Sequence, residues 1–322
     1  MKNLLIPFCF ILLSFLTSKA QDDRYSFKES YDLGKTGLVS VSSSDGNIEA
    51  VTFEGNKADI FYIVKKHNKV LNISKEELEK ELTLEVVHSG NNLSIVVKYK
   101  NEFQSFNWND KMTVSFRLQL PKETSCDLRT SDGNISMKGL KGDQKCKTSD
   151  GDLNILDIGG SVTANTSDGN VSIKKVNGDV EARTSDGNVT IENVKGDASA
   201  STSDGNISVY DLSGKTTIKT SDGDIVFKDL TGSLTATTSD GNVTGNLLEL
   251  TKELTIRTSD GNITVAIPAK LGLDLDIKGE SLNIPLTNFS GRSDEKVIRG
   301  KANGGGIAVN LSTSGNVKLS YR

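Results

Sequence analysis

The sequence has only four prolines and two histidines in 322 residues, and no long apolar run beyond its first twenty residues. Scarce proline, 30 glycines and an apolar share of 35% favour one long repetitive domain over two ordinary compact ones. His67 and His88 sit beside no nucleophile motif, and there is no zinc spacing, phosphate loop or nucleophile elbow. A basic surplus is also missing. Lys and Arg number 38 against 42 Asp and Glu, a net charge of -4, which excludes the basic stripe that nucleic-acid binding needs.

Residues 1–20 have the three-part layout of a secretory signal peptide: Lys2, an apolar run from Leu4 to Leu16, then Ser18-Lys19-Ala20. The run is shorter than the roughly 20 residues that span a bilayer, so the expectation is cleavage rather than anchoring. Losing Lys2 and Lys19 takes the net charge from -4 to -6. Cys9 follows Phe8 rather than a small residue, which argues against lipid attachment. Cys126 and Cys146 remain. Export permits a disulfide, but in the repeat described next the two lie one strand apart and two residues along. The combined offset of roughly 8 Å exceeds the roughly 7 Å limit for a bridge. Free, buried thiols are expected.

A hexapeptide of the form Thr-Ser-Asp-Gly-Asn/Asp-Ile/Leu/Val begins at Thr130, Thr148, Thr166, Thr184, Thr202, Thr220, Thr238 and Thr258. Six successive spacings are 18 residues and the last is 20. Units that repeat this closely bury their apolar faces by stacking on one another. Within one unit, Val171 and Ile173, then Val176, then Val180 and Ala182 show the alternation of strands. Gly133, Gly151, Gly169, Gly187, Gly205, Gly223, Gly241 and Gly261 mark structural turns, assigned to glycine's tolerance of positive φ. A second glycine column runs from Gly142 to Gly232. An antiparallel hairpin meander is the competing architecture. Identity at period 18 points instead to an all-β, single-stranded β-solenoid of about 18 residues per rung, with an irregular β-rich N-terminal portion and capping rungs. The expected division is a signal peptide at 1–20, a β-rich part at 21–129 with a first rung at 39–50, regular repeats at 130–265, and irregular closing rungs at 266–322.

Between the first rung and Thr130, Ser74 and Glu77 form a capping box for a short helix. Phe103, Phe106 and Trp108 gather in one polar stretch, either to stack on carbohydrate or to close the end of a β core. The aspartates Asp132, Asp150, Asp168, Asp186, Asp204, Asp222, Asp240 and Asp260 are copies of one position. A catalytic centre is one special site with displaced pKa values, whereas equal copies speak for architecture. Their first reading is an Asx-type turn, each carboxylate accepting N–H groups of its own corner. Their second is weak calcium binding between neighbouring corners, the only cofactor considered. Basic residues such as Arg129, Lys147, Arg183, Lys219 and Arg257 offer the ladder neutralisation instead.

With these corners recurring behind a signal peptide, the chain resembles the bacterial candidate adhesins, an exported family of unknown function. Asn303-Gly304-Gly305-Gly306 and Thr313-Ser314-Gly315-Asn316-Val317 resemble that family's glycine-rich turn and final rung, and the resemblance covers roughly 35–322. It implies a β-solenoid with no established catalytic residues. The function expected is a non-enzymatic adhesin-like or scaffold protein presenting polar ladders to glycans, matrix or envelope proteins, in the periplasm, at the cell surface or released. A periplasmic structural or sensing protein is the alternative. A polysaccharide-processing β-helix enzyme would need a local break in the repeat, and the one near Leu247–Leu254 offers only Glu249, Lys252 and Glu253. Terminal sequencing of the exported protein is expected to begin at Gln21; a chain that retains Met1–Ala20 would contradict the leader.

Overall fold

The computed structural model describes residues 24–100 and 111–322. The leader at 1–20 and the aromatic stretch with Phe103, Phe106 and Trp108 lie outside the described residues. Among the described residues are 27 strands, all joined in one hydrogen-bonded sheet, and one helix, Lys75–Glu81. Ser74 caps that helix: its hydroxyl accepts from the Glu77 N–H, and the Glu77 carboxylate accepts from the Ser74 N–H.

In the repeats the strands form two rows. One row contains Ile135–Lys138, Leu153–Ile158, Val171–Val176 and Val189–Lys195; the other contains Gln144–Lys147, Val162–Asn165, Val180–Arg183 and Ala198–Ser201. Pairing within each row is parallel and in like-on-like register, Val171 beside Val189 and Val180 beside Ala198. Period-2 alternation therefore turns each column of Ile, Val, Leu and Ala to one side, and these columns are buried. The chain joins this stack out of order. Ile48 pairs with both Ile135 and Phe116, so the described residues between 53 and 116 form an excursion at one end. At the other end Ile263 pairs with Val317.

The expectation of a single-stranded β-solenoid with capping rungs is corrected by this structure. The strands make a mostly β sheet that nearly closes into a barrel, running 327° round an axis and leaving one unsealed seam. Two features account for the difference. From Ile207 the strands no longer stop between the rows: Ile207–Lys219, Ile225–Thr237 and Val243–Arg257 carry the sheet round the bend unbroken. At both ends the chain also leaves the repeat for antiparallel pairing. Lys57–Lys66 pairs with Thr113–Pro121 and Phe27–Asp32, and Leu273–Lys278 pairs with Val297–Ala302.

Each Thr-Ser-Asp-Gly corner is held by a buried hydroxyl. Thr184 Oγ1 lies 2.9 Å from the carbonyl oxygens of Ser167 and of Gly169 in the preceding corner, sharing its proton between them, and accepts the Gly187 N–H at 3.2 Å. The Ser185 and Asp186 N–H groups both donate to the Ser167 carbonyl, at 2.8 and 3.0 Å. The corner's donors are thus occupied without the carboxylate, which corrects the Asx-turn reading. The glycines are also needed for a different reason than expected. Gly133 to Gly261 do not have positive φ. Instead, a Cβ on Gly187 would meet the Gly169 carbonyl oxygen at 1.9 Å, and the same contact recurs up the column.

Left-handed backbone occurs elsewhere, at a column the sequence reading missed: Gly139, Asp157, Lys175, Asn193, Asp211 and Asp229, with φ between 51° and 82°. The signal was present as a run of Gly, Asp and Asn at period 18, with Lys175 as its exception. Left-handed φ costs an ordinary L-residue roughly 1–2 kcal/mol, and Asn less. Lys175→Asn is therefore expected to raise unfolding free energy by about 0.5–1 kcal/mol in urea titration. Gly187→Ala forces the backbones apart and Thr184→Val strands the Gly187 N–H and the Gly169 carbonyl. Each should cost about 1–3 kcal/mol, while exposed Ser185→Ala in the same corner should stay within about 0.5 kcal/mol.

Candidate functional site

The outward side of the corners is a straight file of polar groups. The serine, aspartate and Asn/Asp side chains of each corner are mostly exposed, whereas its threonine and glycine are buried. A further file runs beside the aspartates, through Asn134, Asp152, Asn170, Asn188, Asn206, Asp224, Asn242 and Asn262. There each side-chain oxygen accepts the backbone N–H of its counterpart in the next corner, as Asn134 Oδ1 does from Asp152 at 2.7 Å and Asn170 Oδ1 from Asn188 at 3.0 Å. Restriction of this position to Asn or Asp was visible in the sequence, but its role as a clip between strands was not.

The aspartate file begins one step earlier than the hexapeptides, at Asp45, whose carboxylate is 2.8 Å from Lys111 Nζ and accepts the Tyr99 hydroxyl at 2.8 Å. The Lys111 ammonium also lies 4.0 Å from the centre of the Tyr99 ring, a cation–π contact. Asp132, next in the file, has its carboxyl pushed above the ordinary value, first by partial burial and then by the carboxylates of Asp45 and Asp150. At the far end Ser314 stands where the file would place another aspartate, and its hydroxyl lies 3.2 Å from Asp260 Oδ1. The file of like charge therefore ends on a donor at each side. Of the basic residues read as neutralisers, Arg129 and Arg183 pair with Asp127 at 2.8 Å and Glu181 at 2.5 Å rather than with the corner aspartates. Among the described residues no group of three or more His, Cys, Asp and Glu side chains is arranged to hold a metal ion. Asp132, Asp150, Asp168, Asp186, Asp204, Asp222, Asp240 and Asp260 stand one to a corner.

A shallow groove crosses the outer face of neighbouring strands, lined by the outward Ser136, Lys138, Asn154, Leu156 and Lys174. Lys174 pairs with Glu192 at 2.8 Å. The sequence reading did not single out this groove, because it forms where outward columns of different strands meet.

The remaining chemistry-bearing residues do structural work. His67 and Asn68 take the left-handed turn between Lys57–Lys66 and Lys69–Val70. His88 Nε2 lies 2.9 Å from the Asp32 carbonyl oxygen. Glu29 binds the hydroxyls of Tyr31 and Tyr62 and the ammonium of Lys75, at 2.7, 2.9 and 2.9 Å, tying the helix to the sheet. Burial opposes ionisation of Glu29, yet these donors outweigh it and hold its carboxyl below the ordinary value. The two-residue expansion is a bulge whose Leu247, Leu250 and Leu254 are buried, with Glu249, Lys252 and Glu253 exposed. It opens no cleft. Cys126 and Cys146 are free and buried, and burial pushes both thiols up.

No curated protein matches this chain. Among solved structures, a candidate adhesin from Bacteroides fragilis aligns at 14% identity over 74% of this chain and 96% of its own, with a TM-score of 0.43. A candidate adhesin from Parabacteroides distasonis aligns at 13% identity over 75% and 96%, with a TM-score of 0.43. A candidate lipid-binding protein from the same species aligns at 15% identity over 74% and 96%, with a TM-score of 0.40. No helix of the described residues is long and apolar enough to cross a membrane. A family model matches twice, over residues 48–211 and 158–320, so that it accounts for nearly the whole described stack of strands. By that match the chain belongs to the Toastrack DUF4097 family.

Proposed function

We propose that this chain is a non-enzymatic, exported module of the cell envelope that presents its outward polar files to a glycan or an envelope protein. The observation that carries the reading is the equality of the corners. Eight copies of one exposed Ser-Asp-Gly-Asn/Asp surface stand in register, with their buried threonines and glycines devoted to holding the stack. Catalysis concentrates displaced pKa values in one special place, whereas this surface repeats one arrangement from corner to corner. A repeated surface suits a repeating partner, since weak contacts multiply along it. On this reading the described residues of 24–129 and 266–322 close the ends, and residues 130–265 form the presenting section. The names of the similar structures, two candidate adhesins and a candidate lipid-binding protein, agree with a surface-associated role.

Location separates this reading from a purely periplasmic structural role. Intact cells of the source organism, treated with a protease that cannot cross the outer membrane, are expected to lose the protein while a periplasmic control survives. Protection of the chain until the outer membrane is opened would remove external adhesion and leave envelope partners.

A further inference from the structure

The repeat acts as its own alignment, and one stretch of the core departs from it. Inward columns are built mainly from Val, Ile, Leu and Ala, but sulfur occupies three neighbouring inward positions. Cys126 stands in the column of Val39 and Val162, Cys146 in that of Leu128 and Ala164, and Met137 in that of Ala50 and Ile155. Among the described residues the only other sulfur is that of Met112. All three side chains are 2% exposed, and Cys146 Sγ lies 3.0 Å from Met137 Sδ. Cys126 pairs laterally with Gln144, two residues before Cys146 on the same strand. Gln144 itself is 1% exposed; its amide nitrogen donates to the Thr124 and Gly142 carbonyls, while its amide oxygen is buried with no partner.

We propose that Cys126, Cys146 and Met137 form a buried binding site for a soft monovalent metal ion, Cu(I). Thiolate and thioether sulfur together select this class of ion. The diagonal placement of the two cysteines, about 8 Å apart along and across the strands, is too wide for a disulfide. It suits two sulfurs bridged by one ion, at roughly 2.3 Å per metal–sulfur bond. Each thiol that coordinates gives up its proton to solvent as its sulfur bonds the ion, with no change of oxidation state, so affinity rises with pH. The proposal is independent of the surface role above.

The test uses the full mature chain under argon and Cu(I) supplied as its bicinchoninate complex. The expected result is withdrawal of one Cu(I) per chain, a new near-ultraviolet thiolate-to-copper absorption, and a rise of several degrees in melting temperature. The repeat supplies replacements that its own core accepts: Cys126→Val copies Val39 on the preceding strand, and Cys146→Ala and Met137→Ile copy Ala164 and Ile155 on the next strands of their columns. The triple variant, with its fold checked by circular dichroism, should lose at least 100-fold in affinity. Cys146→Ala alone should abolish the absorption band. Copper that stays on the chelator with the wild-type chain, both as folded and after refolding in its presence, would overturn the site. So would undiminished binding by the folded triple variant, or uptake of Zn2+ without uptake of Cu(I).

Discussion

One shared proton per corner organises the stack. A threonine hydroxyl, sealed from water, is held between two carbonyls of the corner before it and receives the N–H of its own glycine. Buried polar groups cost dearly when left unmet, so this arrangement is favourable only when every corner follows in the same register. The glycine completes the constraint by letting carbonyl and α-carbon approach to a distance at which no side chain fits. Together they fix the rise from one corner to the next, and the apolar columns inherit their alignment from it.

Regularity of that kind leaves two problems, and the molecule answers each at its ends. A file of carboxylates would repel along its length, though weakly in water; Lys111 and Tyr99 meet its first member and Ser314 its last. A stack of parallel strands also exposes pairing edges. Here the chain turns antiparallel, with Phe27–Asp32 beside Lys57–Lys66 at one end and Leu273–Lys278 beside Val297–Ala302 at the other. These additions, together with strands that run unbroken round the bend, curl the whole into a nearly closed barrel.

Much of the core was legible because burial in strands leaves a mark of period 2 and stacking leaves a mark of period 18. Val171, Ile173 and Ala182 could be placed inward from those marks alone, as could the free state of Cys126 and Cys146. The candidate site was legible only as a list of exposed repeats. That the threonine, not the aspartate, closes the corner depends on where carbonyls of a different strand lie. The left-handed column through Lys175 was hidden because lysine carries no preference for that geometry, and only its Gly, Asp and Asn neighbours hinted at it.

Sequence by itself determined the pairing of like with like: identical units 18 residues apart bury their side chains best against their own copies, as in Val171 beside Val189. Tertiary structure alone decided how far the sheet closes and how its ends are finished. Closure depends on the angle accumulated at each bend and on antiparallel partners far apart in the chain, such as Ala58 and Tyr31, and no local pattern encodes either. The meeting of Cys146 with Met137 is of the same kind, since two strands had to be brought face to face before their sulfurs could touch.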